Sequence, residues 1–368
     1  MIMYNPKPVF GSLARVTLII VAVILMYHWL YSFSNELALI SKKESLCKQL
    51  NFTTTTNIEA HGDALDHALA KASMGNKTVI IAIVNKAYVE QDVESDTTMF
   101  DIFLDSFWLG EGTRSLIDHL LIVAVDRTAY DRCQFLKLNC FRLKTDGVDF
   151  EGEKIYMSQD FIKMMWTRTH FLLEVLKRGY NFIFTDTDII WLRNPFIRLS
   201  KNKTEDLQIS TDIYLGDPWS KKNPINTGFY FVRSNNKTIS LFETWYRQKD
   251  NVVGKKEQDV LFDLIKSGII EHLRLRVRFL DTLYFSGFCQ DNRDFRSVTT
   301  IHANCCKSIA AKVADIKTTL HDWKRYKRLE ANSSVNLQWT KHNWCWQSWG
   351  KPIKTNEKVL YNYLNEVK

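Results

Sequence analysis

Among its seven cysteines the sequence has no CxxC pair, so the spacing that marks a structural zinc site is missing. A stripe or tail of basic residues is also missing. Lys and Arg number 49 against 41 Asp and Glu, a formal net charge of +8, but they are dispersed, which argues against a nucleic-acid partner. A basic cleft for diphosphates, or a solvated basic surface, accounts for the excess better. There is no internal repeat, and the run Thr53-Thr54-Thr55-Thr56 is the one low-complexity stretch. What is present is bulk. With 368 residues, 45% of them hydrophobic, the chain can bury a full core in one large domain or two smaller ones.

From Leu13 to Phe33 the chain is apolar, with Arg15 and His28 as the only ionisable interruptions. That run can cross ~30 Å of hydrocarbon, and Trp29 and Tyr31 suit its interfacial end. It is longer than the apolar part of a cleaved signal peptide and has no clear Ala-x-Ala site after it. The expectation is a single signal anchor, with residues 1–12 as a cytosolic tail and the body in the lumen. Asn-x-Ser/Thr sequons at Asn51, Asn76, Asn202, Asn236 and Asn332 agree with a lumenal body. So do six cysteines beyond Asn76, which three disulfides could join in fifteen ways. Residues 34–76, polar and only weakly periodic, read as a stem, and 77–368 as the folded domain.

Within that domain, Thr78–Val84 reads as a buried strand, Phe100–Gly112 as a helix and His119–Val125 as a second strand ending at Asp126. Ser158–Arg178 carries apolar residues at helical spacing and stops at Gly179. A third apolar run, Phe182–Phe184, then ends in two carboxylates, Asp186 and Asp188. This strand–helix–strand–helix–strand order predicts an α/β fold with a mostly parallel, doubly wound sheet. Later elements are expected at Leu207–Leu215, Asn226–Ser234, Ile239–Arg247, Lys256–Ile265, Arg278–Asp281 and Val298–His302, followed by a basic helical region and a Trp-rich close.

Acidic residues at the carboxyl end of a buried strand sit where open α/β sheets bind ligands. One residue between Asp186 and Asp188 lets both reach a single hard cation such as Mg²⁺ or Mn²⁺, which can bridge to a substrate's phosphates. His302 ends an apolar strand, where a further ligand would be placed, and Lys312, Lys163 and Arg168 are basic groups that could pair with a diphosphate. Asp-x-Asp after a strand also resembles the haloacid-dehalogenase phosphatase nucleophile. That chemistry needs a downstream acidic pair, and the chain contains no Asp-Asp dipeptide. A catalytically silent lumenal scaffold or sugar-binding protein is the other alternative, and intact Asp186, Asp188 and His302 weigh against it.

The segment FTDTDIIWLRNPF, residues 184–196, resembles the Asp-x-Asp segment of plant nucleotide-diphospho-sugar transferases, glycosyltransferase family 77. The likeness extends in order through residues 163–196, NTGFYFVRSNNKTI, EQDVLFDLI, RFLDTLYFSGFCQ, IHANCC and KVADIKTTLHDWKRY. It implies a GT-A fold with a Rossmann-like sheet, Mn²⁺ with Mg²⁺ as second candidate, a UDP-sugar donor and retention of anomeric configuration. It also implies a polysaccharide or glycoprotein acceptor and a single-pass type II place in the Golgi membrane. By the same resemblance Asp186, Asp188 and His302 would hold the metal, and Asp186 would also touch the donor. Asn85 and Tyr88 would hold the nucleobase and ribose, while Asp126, Lys163, Arg168 and Lys312 would also serve the donor. Asn226, Thr227 and Gly228 would line the sugar and acceptor side, and Gln258 and Asp259 would lie beside the anomeric carbon as catalytic stabilisers. Thr227 and Ser308 stand where the family pattern has glycine.

Overall fold

A computed structural model describes residues 24–29, 63–90, 97–145, 150–154, 156–252, 254–292, 294–329 and 337–350. Two units separate at residues 61 and 62. Of the first, only the helical stretch 24–29 is described, so most of the expected anchor, and Cys47, lie outside the described residues. Among the described residues no helix is long and apolar enough to cross a membrane.

The second unit is α/β. A seven-stranded sheet has the order β3-β2-β1-β4-β7-β6-β8. Its strands are β1 (Thr78–Val84), β2 (Leu120–Ala124), β3 (Asn139–Arg142), β4 (Asn181–Thr185), β6 (Leu207–Thr211), β7 (Ile225–Val232) and β8 (Val277–Phe279). Pairing is parallel throughout except at β7, which runs against both β4 and β6. The expectation of a mostly parallel sheet therefore holds, with one strand reversed. A second sheet joins β5 (Ile189–Trp191), β10 (Thr300–His302) and β9 (Phe285–Gly287).

Strand periodicity divides the core in two. Val79 and Ile81 of β1 join Leu121 and Phe182 on one face, while Ile80, Ala82 and Val84 join Ile122 and Ile183 on the other. The first face is covered by α1 (Ala64–Ala72), α4 (Gln159–Lys177), α5 (Asn236–Arg247) and α6 (Glu257–Lys266). The second is covered by α2 (Met99–Leu109), through Phe100, Phe103 and Phe107, and by α3 (Arg127–Phe135). A third cluster lies between the small sheet and α7 (Ile309–Leu329), around Ile190, Ile301, Ile316 and Trp323.

Local chemistry accounts for the element that precedes the acidic segment. The Ser158 hydroxyl accepts from the Phe161 amide at 3.2 Å and starts α4. Gly179, at φ +77°, turns the chain out of the helix and straight into β4, as its place in the sequence suggested. The unit begins earlier than residue 77. Leu65, Leu69 and Ala72, in the stretch expected to be stem, are buried against the large sheet, and Asp63 caps their helix. Three disulfides, Cys133–Cys140, Cys289–Cys305 and Cys306–Cys345, pair the six cysteines beyond Asn76.

Candidate active site

The chain changes sheets at Asp186-Thr187-Asp188, and that transition builds the site. Asp186 follows β4, and its amide donates to the Gly228 carbonyl of β7 at 2.7 Å. The Asp188 carbonyl accepts from the Ala303 amide at 3.0 Å, just past β10. Because β5 and β10 are antiparallel with Ile189 opposite His302, the imidazole arrives beside the second carboxylate. Ligand atoms of Asp186, Asp188 and His302 all lie within 4.8 Å of one another.

Cations hold this group from both sides. Arg168, on α4, donates through Nη1 to Asp186 Oδ1 at 2.9 Å and through Nη2 to the Glu257 carboxylate and to Thr227 Oγ1 at 3.3 Å. Asp188 meets His302 Nε2 at 3.2 Å and Lys312 Nζ at 2.8 Å. Burial opposes the charge on Asp188, but Lys312 and His302 outweigh it and hold the carboxyl well below the usual range. Burial and repulsion from Asp188 push Asp186 up to about 6 against the pull of Arg168. Its side chain is still 34% exposed, so solvent moderates that push. Three carboxylates (Asp186, Asp188 and Glu257) against two cations (Arg168 and Lys312) leave a formal charge of −1 when His302 is neutral.

These residues line a cavity of about 220 Å³. It is walled also by Asn85 and Tyr88 after β1, and by Phe161 and Met165 of α4. Its wall further includes Asp212 after β6, Asn226, Thr227 and Gly228 of β7, and Glu257 and Gln258 of α6. Since β7 is reversed, its first residues reach the same edge as the last residues of β1 and β4. A diphosphate, a hard cation and a flat ring could be accommodated side by side here.

A model of the family described as nucleotide-diphospho-sugar transferase matches residues 115–316, more than half of the chain. The chain belongs to the nucleotide-diphospho-sugar transferase family. It is an enzyme of the glycosyltransferase class. The chain is 57% identical over 290 residues to an uncharacterized protein of Arabidopsis thaliana, covering 78% of this chain and 84% of that one. A UDP-D-xylose:L-fucose alpha-1,3-D-xylosyltransferase of Arabidopsis thaliana is 24% identical over 164 residues, 44% of this chain and 40% of that protein. Among solved structures, apo mouse xyloside xylosyltransferase 1 is similar at 13% identity and a TM-score of 0.39, over 62% of this chain and 98% of that one.

In this transferase most of the expected site residues meet. Asn85, Tyr88, Arg168, Asp186, Asp188, Asn226, Thr227, Gly228, Gln258, His302 and Lys312 all line the cavity. Asn85 donates to the Phe150 and Gly152 carbonyls at 2.8 and 3.0 Å, while its buried Oδ1 has no partner among the described residues. Burial pushes the Tyr88 hydroxyl up to about 12, so it stays a neutral donor. Gln258 Oε1 accepts from the Thr227 amide and hydroxyl at 3.1 and 3.2 Å. Ser308 caps α7 by accepting from the Ala311 amide at 3.3 Å, and the helix so begun carries Lys312 to Asp188.

Three expected residues do not line the cavity. Asp126 uses both carboxylate oxygens on backbone, accepting from Ala129 and Lys86 amides at 2.8 and 2.6 Å, so it caps α3 and anchors the turn after β1. Lys163 stands exposed near Asp160, 4.0 Å away, on a different side of α4 from Arg168. Asp259 is one residue past Gln258, about 100° further round α6, and lies outside the cavity wall. Glu257, the residue before Gln258, is the member of that turn that reaches Arg168. Asp212 and Asn304 were also missed. Asn304 and Asn226 both donate to Asp212 Oδ1 at 2.8 Å, which ties three distant segments together in the cavity wall.

Proposed function

We propose that the protein is a retaining, Mn²⁺-dependent transferase that moves a sugar from a UDP-sugar to a cell-wall polysaccharide or glycoprotein, the sugar being a pentose such as xylose or arabinose, or galactose. The observation that carries this reading is the convergence of Asp186, Asp188 and His302 in the wall of a cavity that also holds Arg168 and Lys312. Two carboxylate oxygens and one imidazole nitrogen suit Mn²⁺ or Mg²⁺, and the surrounding charge of −1 favours a cation there. The bound ion would supply Lewis-acid neutralisation of the leaving diphosphate.

The chain's own groups have separable tasks in this reading. Lys312 offers an ammonium to a diphosphate oxygen, and Arg168 fixes the direction of Asp186. Asn85 Oδ1, buried and unpaired among the described residues, is an acceptor suited to a base N–H, and Tyr88 supplies a ring wall beside it. Gln258, clamped by Thr227, stabilises the positive charge that grows on the sugar ring as the glycosidic bond to phosphate breaks. With retention, the acceptor hydroxyl enters from the leaving-group side and its proton passes to a diphosphate oxygen. Asp259, off the cavity wall, takes no part.

A UDP-sugar panel tests the reading. UDP release is expected with Mn²⁺, and to fall at least about a hundredfold on chelation or in Asp188→Ala. Release that ignores both would sink it. We further propose the type II Golgi placement, with 13–33 as the anchor. The three disulfides and the exposed sequon asparagines Asn76, Asn202 and Asn236 support it. Protease protection of intact vesicles should spare the body of the chain, and digestion without detergent would count against it.

A further inference from the structure

The Trp-rich close of the sequence lies beyond the stretch matched by the family model, yet one of its residues, Trp349, lines the donor cavity. The segment is tied there several times. Cys345 is disulfide-bonded to Cys306, and its amide donates to the Asp315 carboxylate at 2.7 Å. Ser348 Oγ accepts from the Lys307 amide at 3.0 Å. Trp349 Nε1 donates to the Cys305 carbonyl at 2.7 Å, which fixes the ring. Over that ring, 4.1 Å from its centroid, stands the Lys307 ammonium.

We propose that Lys307 is a second cationic contact for the donor's diphosphate and that Trp349 is the positioning residue that holds it. The inference rests on the reading of the cavity as a nucleotide-sugar site. Lys307 lies in the short connection from β10 to α7, and the elements on either side of it bring His302 and Lys312 to Asp188. Lys307, Lys312 and Asp188 line the same cavity. Among the described residues no carboxylate pairs with Lys307, whereas Lys312 shares its ammonium with Asp188. The other cavity lysines are hydrogen-bonded elsewhere, Lys154 to the Glu151 carbonyl at 2.8 Å and Lys256 to the Tyr156 hydroxyl at 3.3 Å.

Charge balance points the same way. A cluster at −1, a divalent ion at +2 and a diphosphate diester at −2 sum to −1, and one more ammonium brings the assembly to zero. The indole face favours the cation and restricts a side chain that otherwise loses considerable rotamer freedom on binding. Trp349 thus lowers the cost of fixing Lys307 before the ligand arrives.

Calorimetry of UDP, with uridine as the phosphate-free comparison, tests this on the full chain in Mn²⁺. Lys307→Met should weaken UDP binding about tenfold and leave uridine binding as it is, and Lys307→Arg should restore most of the loss. Trp349→Ala should weaken UDP by a similar factor, Trp349→Phe much less, and the exposed Trp344→Ala not at all. If Trp349 acts through Lys307, the double variant Lys307→Met/Trp349→Ala binds no worse than Lys307→Met alone. Native-like UDP affinity in Lys307→Met, or equal loss for uridine, overturns the proposal while leaving the nucleotide-sugar reading intact. Failure of the native protein to bind UDP with Mn²⁺ overturns both.

Discussion

A side chain has no room at position 228. A Cβ there would come within 2.5 Å of His302 Cε1, 2.8 Å of Asn226 Oδ1 and 2.9 Å of Asp186 Oδ2. The glycine lets β7 run against two of the three metal-ligand candidates, a close approach that only this residue permits. Gly228→Ala is therefore expected to push Asp186 and His302 apart, lowering Mn²⁺-dependent UDP affinity at least about a hundredfold with little change in melting temperature. Calorimetry and thermal melts on the same sample check it, and native affinity would show that the neighbours yield. The acidic pair and His302 were legible in the sequence because strand ends announce a binding edge, whereas Lys312, inside α7, was singled out by the family resemblance. Asp126 was misread for the same reason, since a carboxylate at a strand end is equally a cap for the next helix. Lys163 and Arg168 could not be told apart by composition. Five residues put them about 140° apart on α4, and only Arg168 turns inward. The pairing of Arg168 with Glu257 joins segments 89 residues apart and left no local signal.

Elements were legible in proportion to how apolar and how long they are. The buried strands β1, β4 and β7 and the amphipathic helix α4 fell close to their expected bounds. β3, a half-buried edge strand, and the largely polar helix α3 before it were not foreseen. Nor was β9, three residues paired with β10. At an edge of the large sheet, β8 pairs with β6, and a side-chain ion pair adds to that pairing. Arg278 donates two bonds of 2.8 Å to Glu205, which is buried at the entrance to β6. Burial opposes the Glu205 charge, but Arg278 outweighs it and depresses the carboxyl. A depressed carboxyl stabilises the fold above the ordinary glutamate range, and that contribution is lost as pH falls through the folded value. In Arg278→Leu the buried carboxylate loses its partner, at a cost of about 2 kcal/mol after allowance for the partly exposed guanidinium. The deficit should be largest near neutral pH and shrink at a pH below the ordinary glutamate range, as the depressed carboxyl becomes protonated. Melts at the two pH values decide it, since an equal shift at both would mean that Arg278 contributes packing alone.

At the scale of the whole molecule, the folded unit is set by what covers the large sheet rather than by where the first strand begins. Sequence alone suggested residue 77 as the boundary, because β1 is the first strongly apolar run. The preceding helix is weakly apolar, yet Leu65, at 7% exposure, and Leu69, at 0%, seal one face of the sheet. His119 Nδ1 also meets the Ala72 carbonyl at 3.1 Å, and Arg178 pairs with Asp63 and Asp66 at 2.6 and 3.2 Å. Burial of the two leucines stabilises by ~4 kcal/mol together, while the exposed ion pairs add little. Against a typical total of about 5–15 kcal/mol, that loss is severe. A chain starting at residue 62 is expected to bind UDP with Mn²⁺ as the full protein does. A chain starting at residue 77 should melt far lower or aggregate, although every residue of the metal cluster and cavity is retained. Circular-dichroism melts and UDP calorimetry on the two chains separate the outcomes, and equal stability would return 63–76 to the stem.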